Sequence, residues 1–80
     1  MAVKRQHSLI YRRVPQFLRE MRERAGLTQR DLAEAIQQPQ WWVHRCEIGS
    51  RRVDIAEFVQ WCEGCGMSVD TAIHDLIRQK

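Results

Sequence analysis

Apolar residues along the chain fall into five groups, each spaced like a helix lying on a core and separated from the next by a short polar or glycine-bearing gap. Val14, Leu18, Met21 and Ala25, with Phe17 beside them, predict a first helix from Val14–Pro15 to Ala25, ended by Gly26 and Leu27. Leu32, Ala33 and Ile36 predict a second over Gln29–Ile36, with Thr28 and Asp31 placed to cap its first turn. Gln37 and Gln38 form a turn, and Pro39 suits the first turn of a third helix, where its missing N–H costs nothing. That helix, about 39–47, buries Val43 and Cys46 and stops near Gly49. Asp54 with Glu57 caps a fourth, lined by Ile55, Phe58, Val59 and Cys62; Gly64 weakens its last turn and Gly66 ends it. A fifth runs from Asp70 to Arg78, with Val69, Ile73, Leu76 and Ile77 apolar. The expected fold class is therefore all-α, a compact five-helix domain over 14–80 behind a flexible basic arm over 1–13, with Leu9, Ile10 and Tyr11 tucking the end of the arm against the body.

The second and third helices are too short to shield their own apolar faces, so the others must pack behind them. Their joined pattern resembles the phage-repressor-like, or XRE, helix-turn-helix family. The resemblance rests on Leu18, Arg22, Ala25-Gly26-Leu27-Thr28-Gln29, Leu32-Ala33, Gln40, Val43, Arg45, Glu47 and Gly49, with Arg51-Arg52 and the helix from Asp54 following in order. It covers roughly residues 14–77, far more than a loose two-helix pattern would. It implies a compact phage-repressor-like domain whose helix-turn-helix is formed by helices 2 and 3. The implied function is sequence-specific binding of double-stranded DNA by a small transcriptional regulator, with helix 3 in the major groove.

Composition sharpens this only in part. Eighty residues make one domain with a small core, and 44% hydrophobic with 29% charged is ordinary for a soluble globular chain. No apolar run reaches membrane-spanning length. Three cysteines, an odd count, fit a reducing cytosol and a cytoplasmic protein. The net charge of +3 is uneven: residues 1–30 hold eight Lys/Arg against Glu20 and Glu23, whereas residues 31–80 are net acidic. Such polarity suits a molecule with one side toward a polyanion, and equally a solvated basic N-terminus.

In the family's docking mode, Gln40, Trp41 and His44 reach base edges, with Arg45 one position on. A glutamine amide matches the N6 and N7 of adenine. The resemblance implies Gln40 as a base reader and Gln29 as a clamp on a phosphate or on Gln40; without it, both read as exposed glutamines. Gln29, Arg30, Arg45, Arg51 and Arg52, with backbone N–H groups at the start of helix 2, are the expected DNA-backbone contacts, and the N-terminal arm adds others. The resemblance also makes Arg22 and Glu47 a partly buried structural ion pair between helix 1 and the end of helix 3.

Two positions depart from the family. Gln37 stands where glycine is usual, which costs roughly 1 kcal/mol if its φ is positive. Trp41-Trp42 is the larger departure, because neighbouring helical residues point about 100° apart and the two rings cannot share one environment. One ring packs on the domain while the other rests on thymine methyls or sugar; alternatively Trp41 blocks the groove and the face binds a protein partner, as in an antitoxin-like or adaptor module.

Cys62 and Cys65 form a CxxC, but inside a helix and without a second pair, so core packing is expected in place of a metal site. No cofactor is implied. No enzyme is expected either: no glycine-rich phosphate loop is present, and His44 and Cys46 sit two apart on a helix, pointing apart. A homodimer is compatible with the family, with Trp61, Ile73 and Ile77 as a patch.

Overall fold

The computed structural model describes residues 9–78, which form five helices: α1 (Leu9–Arg24), α2 (Gln29–Ile36), α3 (Gln40–Ile48), α4 (Ile55–Cys65) and α5 (Val69–Arg78). α1 packs against α3, α4 and α5, while α2 packs against α3 and α4. Residues 1–8 of the expected basic arm lie outside the described residues.

Capping sets the boundaries of the middle elements. Thr28 Oγ1 accepts from the Asp31 N–H at 3.0 Å while Asp31 Oδ2 accepts from the Thr28 N–H at 2.9 Å. Asp54 and Glu57 repeat the reciprocal arrangement at the start of α4, at 2.8 and 3.0 Å. Each pair satisfies two donors that a helix start leaves open. At the other end of α2, Gln37 adopts a left-handed conformation with φ 58°. The Gln38 N–H then reaches back to the Ala33 carbonyl at 2.9 Å. This Schellman closure makes the turn tight enough to bring α3 directly beside α2.

α1 begins five residues before the expected start and runs through Pro15. The proline removes one helical hydrogen bond, so the first turns depend on outside support. Arg13 supplies some of it, donating from Nη1 to the carbonyls of Leu76 at 3.3 Å and Ile77 at 3.2 Å. Those carbonyls lie in the last turn of α5, at the negative end of its dipole, which a guanidinium complements. The Arg52 guanidinium lies 4.7 Å from the Tyr11 ring centroid, and the Pro15 ring is seated against Gly49. The last five residues of the expected arm, Leu9–Arg13, are thus helical.

The core is centred on Trp61. It is fully buried, lies 6.1 Å from the Trp42 ring at a 39° tilt, and donates its indole N–H to the Leu18 carbonyl at 3.1 Å. An apolar ring with its polar atom satisfied is stable in a small core. This overturns its expected place in a dimer patch: Trp61 has no surface to offer, whereas Ile77 stays exposed and Ile73 is half-buried. Gly64 also has a tertiary role beyond weakening the end of α4. A Cβ there would stand 2.8 Å from both Leu32 Cδ1 and Ile36 Cγ2, so its absence lets α4 lie close on α2.

Candidate nucleic-acid interface

α3 divides cleanly into two faces. Trp42, Val43, Cys46 and Glu47 are buried against the domain, while Gln40, Trp41, His44, Arg45 and Ile48 are exposed. The tryptophans separate as the 100° step requires: Trp42 is 4% exposed and Trp41 56%. A helix whose inner face is filled by core side chains cannot roll, so the outer residues are presented in a fixed order.

Glu47 locks that orientation. Its Oε2 accepts from Arg22 Nε at 2.6 Å and its Oε1 from Arg22 Nη2 at 3.0 Å, the parallel fork that guanidinium and carboxylate form best. Arg22 Nη1 donates in turn to the Leu27 carbonyl at 2.7 Å, so one side chain joins α1, the loop before α2, and α3. The hydrogen bonds and charge of Glu47 outweigh desolvation and hold the Arg22 pKa above its ordinary value.

Gln29 donates from Nε2 to Glu47 Oε1 at 3.0 Å and comes within 3.5 Å of His44 Nδ1. Its amide is therefore engaged with α3 near Glu47 and His44, and not with Gln40. Gln40 and Arg30 instead flank a shallow hollow between the starts of α2 and α3, together with Thr28 and Gln29.

The arginines expected on the DNA backbone meet different fates. Arg30 is exposed at the start of α2. Arg45 is exposed, and its Cζ lies 5.1 Å from the Trp41 ring centroid. Arg52 is exposed and stacks on Tyr11. Arg51 is engaged within the fold: Nη1 and Nη2 each donate to Glu57 at 3.0 Å, Nη1 also donates to the Arg52 carbonyl at 2.6 Å, and the group lies 4.9 Å from the Trp42 ring. Charge alone could not distinguish these arginines. The signal that was available is Glu57, six residues beyond Arg51, which serves the α4 cap and the ion pair together. The Arg51 guanidinium and the Asp54 N–H hold the Glu57 carboxyl below its ordinary value.

Cys46 and Cys62 are buried and Cys65 is half-buried. Among the described residues, no three His, Cys, Asp or Glu side chains converge to hold a metal ion, and no helix is long and apolar enough to cross a membrane.

A family model for a helix-turn-helix domain matches residues 16–74. An XRE-family like protein from Pseudomonas syringae pv. tomato str. DC3000 is 34% identical, with a TM-score of 0.81 over 89% of this chain and 87% of that one. This chain belongs to the XRE-type helix-turn-helix family. The XRE-type fold is shared with the restriction-modification controller protein C.Esp1396I, solved as a tetramer with its natural 35 base-pair operator. That structure has 24% identity, a TM-score of 0.81, and coverage of 90% of this chain and 95% of that one. The clp gene regulator ClgR from C. glutamicum is similar at 25% identity, with a TM-score of 0.77 over 89% of this chain and 92% of that one. No curated protein sequence matches the chain.

Proposed function

We propose that this XRE-type protein is a small transcriptional regulator that binds double-stranded DNA sequence-specifically, with α3 in the major groove. The carrying observation is the outer face of α3, where Gln40, Trp41, His44 and Arg45 stand exposed on a helix fixed from behind by the Arg22–Glu47 pair. A major groove admits one α-helix, and residues near its N-terminal end meet the base edges. Gln40, Trp41 and His44 form the base-reading group. Arg30, at the start of α2, and Arg52, in the loop after α3, carry exposed charge on either side for phosphates. The engagement of C.Esp1396I with its operator and the regulatory role of ClgR support this reading by likeness. The assembly it favours is a homodimer on a twofold site, acting in the cytoplasm.

A second reading is favoured by the exposure of Trp41. An indole left 56% open is an anchor suited to a protein partner, which would make the α3 face an interaction surface of antitoxin-like or adaptor type.

Selection of bound duplexes from a random pool, followed by titration against salt, separates the two. DNA binding predicts enrichment of a short palindrome and a log–log salt slope near −0.9 for each phosphate contact. Gln40→Ala then relaxes base preference at one position, whereas Arg52→Ala weakens all duplexes alike and flattens the slope by about 1. Failure of every duplex to bind at low salt overturns the proposal in favour of the protein-partner reading.

A further inference from the structure

Trp41 and Arg45 are four residues apart on α3, so their side chains share one face, and both are exposed. Helical side chains lean toward the N-terminus of their helix, which carries the Arg45 guanidinium back over the preceding turn. There its Cζ sits 5.1 Å from the Trp41 ring centroid. Among the described residues Arg45 makes no ion pair, unlike Arg22, held by Glu47, or Arg51, held by Glu57. Arg52 also stacks on a ring, but on Tyr11 of α1, away from the α3 outer face.

We infer that Arg45 reads a guanine in the major groove and that Trp41 is the residue that positions it. The inference rests on the DNA-binding reading above and replaces a phosphate role for Arg45 with a base-reading one. A free arginine loses rotamer freedom when it docks, and its charge is satisfied by any phosphate in reach. Stacking changes both conditions. The indole face attracts the guanidinium and narrows its range of rotamers, and a guanidinium stacked flat on a ring keeps its in-plane N–H edge free to donate. That fork matches the paired O6 and N7 acceptors of guanine, whereas adenine places a donor where the O6 would be. Because the group leans toward the start of α3, it lies at the end of the helix that goes deepest into the groove. The sequence spacing already permitted this pair, since residues 41 and 45 are one turn apart. What it could not show was that the guanidinium is left free of carboxylates.

The test uses the full chain and its selected duplex. Each guanine is replaced in turn by 7-deazaguanine, which pairs normally but lacks the N7 acceptor. One guanine per half-site is expected to be sensitive, with affinity falling roughly five-fold or somewhat more, the lower end of the range for a bidentate base contact, because the O6 acceptor is kept. In Arg45→Ala that sensitivity disappears while the salt slope is retained. In Trp41→Ala the sensitivity shrinks, and in Trp41→Phe, which keeps an aromatic face, most of it remains. Sensitivity unchanged in Arg45→Ala, or an Arg45→Ala salt slope flattened by about 1 with all duplexes weakened alike, overturns the base-reading role. Full sensitivity in Trp41→Ala overturns the positioning role. A wild-type chain that binds no duplex removes the underlying DNA reading instead, so the two failures are distinct.

Discussion

The carboxylate of Glu47 closes on the guanidinium of Arg22 through two parallel hydrogen bonds of 2.6 and 3.0 Å, and this pair ties α3 to α1. Both side chains are almost out of solvent, at 10% exposure for Arg22 and 2% for Glu47. Removing one partner strands the other charge, so Glu47→Gln and Arg22→Met should each destabilise the domain by about 3 kcal/mol. The double variant with methionine at both positions should be more stable than either single variant, because no buried charge is left behind. Urea denaturation of the four proteins checks this. Single variants within 1 kcal/mol of wild type would mean that the pair orients α3 without holding the fold together.

The turn between α2 and α3 carries a correctable strain. Gln37 has φ 58°, a conformation that side chains with a Cβ adopt at a cost of about 1–2 kcal/mol. Gln37→Gly relieves that strain but gives the unfolded chain more freedom, which returns some tenths of a kcal/mol. The expected net gain is about 0.5–1 kcal/mol, or a rise in Tm of about 2–8 °C for a domain of this size. Thermal unfolding followed by circular dichroism measures it, and a fall in Tm would contradict the strain.

Much of this architecture was legible because it is written in local chemistry. The Thr28–Asp31 and Asp54–Glu57 boxes fix two helix starts by contacts three residues apart, and Gly49 and Gly66 fix two ends. Two misreadings involve partners distant in sequence. Pro15 looks like a helix start until Arg13 is seen to grip the end of α5, 63 and 64 residues away. Trp61 fits a surface patch or a core equally well by periodicity, and only the Leu18 carbonyl, 43 residues earlier, decides it. The candidate interface was legible as a list of α3 residues, since their spacing sets the face. The fates of Gln29, Arg45 and Arg51 were not, because a polar side chain's role depends on which acceptors the fold brings within reach.

Gly64 tests the close approach of α2 and α4. An added methyl would meet Leu32 Cδ1 and Ile36 Cγ2 at 2.8 Å, and both of those side chains belong to the buried core. Overpacking of this kind costs about 1–3 kcal/mol, against a gain of about 1 kcal/mol in helix propensity. Gly64→Ala should therefore lose about 1 kcal/mol net in a denaturant titration. A stabilised variant would show that the two helices separate at little cost.

Acid should weaken the domain through two caps. The Arg51 guanidinium and the Asp54 N–H hold the Glu57 carboxyl below its ordinary 4.5, and the Thr28 N–H and hydroxyl hold Asp31 below its ordinary 3.8. As pH falls past those values the unfolded chain takes up protons that the folded chain still refuses, so stability falls with pH. Their contribution is complete above about pH 5 and is lost as the pH drops through the lowered folded-state values. Urea midpoints between pH 7 and pH 3 should decline in wild type and decline less in Glu57→Gln. Equal midpoints at pH 6 and pH 3 would show that neither cap is linked to folding.

Burial pushes Cys46 and Cys65 up to about 11 and raises Cys62 as well, with neighbouring carboxylates adding to the effect at Cys46. At pH 8 a thiol with a pKa near 11 is only about 0.1% thiolate, and thiolate is the form that attacks a disulfide reagent. Folded protein should therefore react with Ellman's reagent far more slowly than free cysteine does. Half-buried Cys65 should react ahead of buried Cys46 and Cys62, because the reagent has freer access to it. All three should react at once in urea. Mass spectrometry of labelled peptides identifies the order, and rapid labelling of Cys46 in folded protein would mean that the wall between α3 and Arg51 opens far more readily than its packing implies.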